Sequence, residues 1–168
     1  MTILNEVYSG QNNADIIETF EFTHSALTGG RVSIAKSSFN LNLGIENGGG
    51  NREFTGYGVD SIQPSKNTDG TSQLTIAISN INNVLWTQLR QVQQANDQGA
   101  QEPVVVTSRI YVSSDVSAPA EAPLIMNLNS VSLTRQTANI TAIYAPLYDS
   151  YFPRYKYYPS THNGVKYP

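Results

Sequence analysis

The side chains that could do chemistry are few, and their spacing limits what they could do. His24 closes a β-type run, with no second His, Asp or Glu at a ligand spacing around it. His162 stands beside Asn163-Gly164 in a Pro- and Tyr-rich stretch where only a loop fits. A zinc or general-base centre needs several such groups converging, so both histidines read as structural or surface residues. Glu18 and Glu21 have opposite parity on one strand, so they face opposite ways and cannot act as a carboxylate pair. Gly48-Gly49-Gly50 is followed by neither Gly-Lys-Ser/Thr nor a helix start, which makes it a hairpin tip, not a phosphate cradle. Asp60 and Asp69 read as loop residues without the Asp-x-Asp-x-Asp-Gly pattern of a calcium loop. Asn139-Ile-Thr141 matches a glycosylation sequon, which carries no weight without a secretory signal. The chain has no cysteine, which excludes disulfides, thiolate metal sites, iron–sulfur clusters and thiol nucleophiles. No nucleophile–base constellation emerges. The expectation is a protein without catalysis, metal or cofactor.

The elements that would position these residues are mostly strands. The segment from Gln73 to Val112 organises the rest. Gln73-Leu-Thr-Ile-Ala-Ile-Ser79 alternates, with Leu74, Ile76 and Ile78 on one face. Asn80 stands where a helix N-cap belongs, and Ile81, Leu85, Leu89 and Val92 form one apolar stripe. Asn96-Asp97-Gln98-Gly99 ends that helix, and Val104 to Val112 is β-branched almost throughout. So short a helix needs tertiary support, so its stripe must lie on the sheet that both strands join.

Upstream, Thr2 to Tyr8 could form a turn or two of helix. Ile16 to His24 and Arg31 to Lys36 predict a hairpin turned by Gly29-Gly30, with Ile16, Phe20 and Phe22 sharing a face. Phe39, Leu41, Leu43 and Ile45 alternate as a third strand, and Glu53 to Ile62 continues as strand through Phe54, Tyr57 and Val59. Residues 113–123 read as a loop, and Leu124 to Leu133 and Thr137 to Tyr144 as two strands turned near Arg135. The total is seven or eight mainly antiparallel strands and one crossover helix. The fold class is therefore mainly β, a β-sandwich or partly closed barrel over residues 1–145.

Composition narrows the partners. Of 168 residues only 14% are charged, the net charge is −3 and the pI is near 5.3. Nucleic-acid binding needs clustered Lys and Arg, so DNA or RNA is not the main partner. No apolar run reaches membrane-spanning length, and Met1-Thr-Ile-Leu-Asn-Glu6 lacks the basic and apolar regions of a signal peptide. A soluble protein made in the cytosol is expected. The surplus of Asn, Gln, Ser and Thr over charge fits a surface partly covered by neighbours.

Residues 146–168 differ from the rest. Seven of the ten tyrosines fall in the last 25 residues, interleaved with Pro146, Pro153, Pro159 and Pro168. Such a segment runs extended, either as a strap on its own domain or as an arm on another subunit. Tyr148, Tyr151, Phe152, Arg154, Tyr155, Tyr157 and Tyr158 are the candidate partner contacts, since Tyr and Arg concentrate at interface hot spots. Arg154 and Lys156 could stack on the rings.

Three stretches in order resemble a family of small tail proteins of long-tailed bacteriophages. They are Leu4-Asn-Glu-Val-Tyr8 with Ile16-Ile-Glu-Thr-Phe-Glu-Phe-Thr-His-Ser-Ala-Leu27, the strand–helix–strand from Leu74 to Val112, and Tyr151-Phe-Pro-Arg-Tyr-Lys-Tyr157. The order is more distantly similar to the first domain of the lambda-like tail-tip protein L, whose iron–sulfur cluster cannot carry over to a cysteine-free chain. The resemblance implies a structural part of the tail tip or baseplate in the virion, a ring joining the end of the tail tube to the central hub. It implies a homo-oligomer of three or six copies, trimer favoured, with other tail proteins as partners, DNA only as passing cargo and no stable membrane association. Two rivals stand beside it. One is a receptor- or carbohydrate-binding β-sandwich at the tail tip, with Tyr57, Trp86 and the terminal tyrosines as stacking platforms. The other is a cell-wall hydrolase, for which the sequence offers no paired carboxylates.

Overall fold

The structure is a computed structural model, and it describes residues 15–62, 73–79, 84–97, 102–134 and 137–144. The chain is mainly β. Its strands are β1 (Ile16–Thr23), β2 (Arg31–Lys36), β3 (Leu41–Gly44), β4 (Asn51–Tyr57), β5 (Val59–Ile62), β6 (Gln73–Ser79), β7 (Val105–Val112), β8 (Leu124–Leu133) and β9 (Thr137–Ile143). One helix, α1 (Val84–Asp97), lies between β6 and β7. The strands form a single open sheet in the order β3-β4-β2-β1-β7-β8-β9-β6-β5, antiparallel everywhere except between β2 and β4.

The ninth strand comes from one glycine. The expected continuous run to Ile62 is creased at Gly58, whose carbonyl accepts the Ser79 amide at 2.8 Å. Before the crease β4 pairs with β2 and β3; after it β5 pairs with β6, at the opposite end of the sheet. One bent segment therefore ties both ends of the ladder together and curls the sheet around its core. The Ser61 hydroxyl on β5 accordingly reaches the Glu18 carboxylate on β1, across the interior.

That interior holds the main core: Phe20 and Phe22 of β1, Ile34 of β2, Leu74, Ile76 and Ile78 of β6, Val106 of β7, Met126 of β8 and Ile140 of β9. Alternation puts these residues on one face, and burying them drives the folding of the sheet. Val92 and Leu89 bring α1 onto the same core, as the stripe predicts. The Thr28 amide fastens the helix further by donating to the Gln88 side chain at 2.9 Å. Asn80 and Ile81, and the side chain of Leu85, lie outside the described residues. So do the N-terminal helical turn and the turn residue Arg135.

The sequence suggests strands with one buried face, yet β1 and β7 are buried on both. Ala35, Leu43, Phe54 and Tyr111 make a second, smaller core on the other side, closed by the β3–β4 hairpin. Two further expectations are corrected. Phe39 is 67% exposed and precedes β3, because its amide bonds back to the Ser37 hydroxyl and bends the chain out of the strand. Asp60, read as a loop residue, lies on β5, held there by pairing with Ala77. The β1–β2 hairpin turns as expected at Gly29 and Gly30, whose φ values of 73° and 75° suit residues without a Cβ.

Candidate functional site

Beneath the β3–β4 hairpin the sheet carries a buried group of charges. Glu21 of β1 is 3% exposed and Arg109 of β7 is 5% exposed. Arg109 donates through Nη1 to Glu21 at 2.6 Å, and through Nε and Nη2 to the two oxygens of Glu46 at 2.8 and 2.9 Å. Glu46 belongs to the turn between β3 and β4, so this bidentate fork pins the hairpin over the sheet. Arg52 of β4 also donates to Glu21, and Arg31 of β2 stands 3.7 Å from it.

The hydrogen bond from Arg109 holds the Glu46 carboxyl below the usual range. Burial works against the charge on Arg109, but the bonds to Glu46 and Glu21 outweigh it and raise its pKa. Tyr111 lies alongside, fully buried, edge-on to Phe54 at 6.5 Å, with its hydroxyl donating to the Gly44 carbonyl at 2.9 Å. Burial pushes its phenol up to about 12. With Arg109 forked onto Glu46 and bonded to Glu21, the cluster clamps the hairpin onto the sheet.

His24 is 1% exposed, and its surroundings come from far away in sequence. The Ala26 amide donates to Nδ1 at 3.0 Å, so Nε2 carries the proton and donates to the Glu102 carbonyl at 3.1 Å. The Glu102 carboxylate accepts from the Ser25 hydroxyl, which holds its pKa down, and lies 4.0 Å from the ring. Both ring nitrogens are thus committed to main-chain partners. The ring joins the β1–β2 turn to the start of β7. Sequence spacing missed Glu102 because it lies 78 residues away and enters only through the fold.

Other candidates are scattered. Glu18 and Glu21 lie on opposite faces, as parity requires, one against Ser61 and the other among the arginines. Gly48 and Gly50 sit in the β3–β4 connection with positive φ. Tyr57 packs against the main core and Asn139 is exposed on β9. Among the described residues no group of three His, Cys, Asp or Glu could hold a metal ion. His162, Asp69, Tyr148, Tyr151, Phe152, Arg154, Tyr155, Tyr157 and Tyr158, and the side chain of Trp86, lie outside the described residues.

A second feature is a cleft of about 530 Å³ between the C-terminal half of α1, residues 102–104 and β8. Its apolar side is made by Leu89, Val92, Val104, Leu128 and Val131, and Asp97, Glu102 and Asn129 stand on its polar rim. The wall at β8 is irregular: pairing with β9 shifts register between Leu128 and Ser130, a bulge that turns the strand.

The outer face of the sheet has a third character. β8, β9 and β6, of ten, seven and seven residues, contain no Asp, Glu, Lys or Arg. Thr75, Ala77, Asn139, Thr141, Asn127 and Ser132 occupy outward positions beside the exposed Ile125, while the charged strand residues lie on β1, β2, β4 and β7 and, at Asp60 opposite Ala77, on the neighbouring β5. A comparison with curated proteins gave no match. A family model does match, over residues 2–157, and the chain therefore belongs to the family described as a domain of unknown function, DUF1833.

Proposed function

We propose that this chain is a structural, non-catalytic component of the tail tip or baseplate of a long-tailed bacteriophage. It forms a ring that connects the end of the tail tube to the central hub. The observation that carries this reading is the uncharged outer face of β8, β9 and β6. Of the residues in these strands, those facing away from the core, among them Thr75, Ala77, Asn127, Ser132, Asn139 and Thr141, carry no charge in a chain that is 14% charged. Strand surfaces left to water ordinarily carry Lys and Glu, whereas surfaces covered by a neighbour are depleted in them.

The two buried clamps suit the same role. Glu21–Arg109–Glu46 and His24–Glu102 make the sheet, the hairpin and the start of β7 one stiff body, which a load-bearing ring requires. Quantitative mass spectrometry of purified virions tests the proposal. The expected result is three or six copies of the chain for each tail. Absence from mature particles, with the chain present in infected cells, overturns it.

A further inference from the structure

β8 is paired along most of one side but only over its first four residues on the other. β9 covers it from Asn127 to Leu133. β7 covers the opposite side only from Leu124 to Asn127, and the last tie is the Leu128 amide donating to the Val104 carbonyl at 2.8 Å. Past the bulge, residues 130–133 have no strand beside them on that side among the described residues. This free half-edge borders the 530 Å³ cleft, with α1 as the facing wall. An unpaired edge offers main-chain donors and acceptors at strand spacing, and what satisfies them is another extended main chain.

We infer that the cleft receives residues 154–158, Arg-Tyr-Lys-Tyr-Tyr, of a second copy of this chain, added as a strand along residues 130–133 of β8. The inference rests on the ring reading and names its joint. The segment fits in length: Pro153 and Pro159 bound it, and proline cannot pair within a ladder, so a short added strand is defined at both ends. It fits in charge. In an extended chain Tyr155 and Tyr157 share one face and Arg154 and Lys156 the other. Rings can then meet Leu89, Val92 and Val131 while the cations meet Asp97 and Glu102 on the rim.

It also fits in reach. The sequence continues for 24 residues after Tyr144 (168 − 144), and ten residues to Arg154 span about 33 Å when extended. A second copy is the donor because of where β9 ends. Ile143 pairs with Asn127, beside the end of β8 that β7 covers, so the chain's own arm would have to cross the β7–β8 ladder to reach the far half of the other edge.

The chain's lack of cysteine allows a clean test on the full-length protein. Ser130→Cys is introduced on one tagged copy, and Cys at each of positions 154 to 158 on a differently tagged copy. The two are co-expressed and oxidised, since a disulfide closes only when Cα atoms come within roughly 4.4–6.8 Å. The expected result is a reducible cross-link between the two tags at one or two adjacent-parity positions of the five, and chain-to-chain ladders when both cysteines are on one polypeptide. A bond that closes within a single chain overturns the inference in favour of the chain's own arm. An oligomer by native mass spectrometry that cross-links at none of the five positions overturns it and leaves the ring intact. A chain that remains monomeric overturns the ring reading and the inference together.

Discussion

Replacing Arg109 with methionine is the sharpest test of the buried clamp. The change keeps most of the side-chain volume and removes the guanidinium. Three charge-assisted hydrogen bonds disappear, one to Glu21 and two to Glu46. The two carboxylates feel this differently. Glu46 is 28% exposed and can turn to water, so its loss costs no more than about 1 kcal/mol, as for a surface pair. The Glu21 side chain, buried beneath the hairpin, cannot. Breaking a buried pair from one side costs about 3–5 kcal/mol because a charge is left without its partner, and the remaining contact with Arg52 moderates that to the lower part of the range. The expected loss is about 3–4 kcal/mol. In a chain of this size that lowers Tm by about 10 °C.

Urea unfolding of the full chain, followed by far-UV circular dichroism, measures the change. The decisive comparison is the double substitution Glu21→Gln/Arg109→Met. Removing both buried charges leaves only the part-exposed Glu46 and Arg52 without a partner, and both can turn to water, so the double variant should be more stable than the sum of the singles predicts. The expected coupling is about 2 kcal/mol. Additive single and double effects, within about 0.5 kcal/mol, would refute the clamp.

Three other outcomes follow from the same geometry. Glu46 has a depressed carboxyl pKa in the folded chain, so its contribution is fully present above the ordinary Glu value and is lost as pH falls through the lower folded value; Glu46→Gln should flatten the fall in stability between about pH 5 and 2, read by urea midpoints across that range. Gly44→Ala should destabilise by about 3 kcal/mol or more, because a Cβ there would come within 1.8 Å of the Ser117 carbonyl oxygen, whereas Gly30→Ala, with φ of 75° and open space, should cost about 1 kcal/mol; thermal melts of the two variants give the order. His24→Ala leaves the Ala26 amide and the Glu102 carbonyl without their partner, at about 2–4 kcal/mol in total, and hydrogen exchange should show the loss of protection concentrated at residues 24–30 and 102–106.

Alternation with Gly or Asn punctuation made the hairpin of β1 and β2 legible, and β6, β8 and β9 with it, because each sets alternate apolar residues on the face of the main core. Gly58 was not legible as a crease, since nothing local distinguishes a glycine that bends a strand from one that only weakens it. The two buried faces of β1 were missed for a related reason. Thr19 and Glu21 look solvent-facing by type, and only the β3–β4 hairpin, folding over from later in the chain, buries them. The clamp residues Glu21 and Arg109 are 88 positions apart. Parity correctly set Glu21 opposite Phe20 and Phe22, but no period in a sequence reports which distant strand will lie alongside.

The placement of charge connects these points to function. A sheet that needed only to be soluble would scatter Lys and Glu over every outward position. Here the charged strand residues lie on β1, β2, β4 and β7 and at Asp60 of β5, and several turn inward to lock the hairpin, while β8, β9 and β6 present Thr, Asn, Ser, Ala and Ile125. Locking one half with buried ion pairs adds little net stability relative to apolar packing. What such pairs do supply is a fixed geometry, since each carboxylate tolerates few arrangements of its donors. A fixed body with a neutral face and open strand edges is suited to repeating contacts with copies of itself, because every copy must present the same surface at the same angle for a ring to close. Charge on that neutral face is therefore the perturbation most specific to the ring reading: Thr75→Lys or Asn139→Glu should leave the fold and its unfolding curve within about 0.5 kcal/mol of the parent and abolish assembly, a split that a purely monomeric protein would not show.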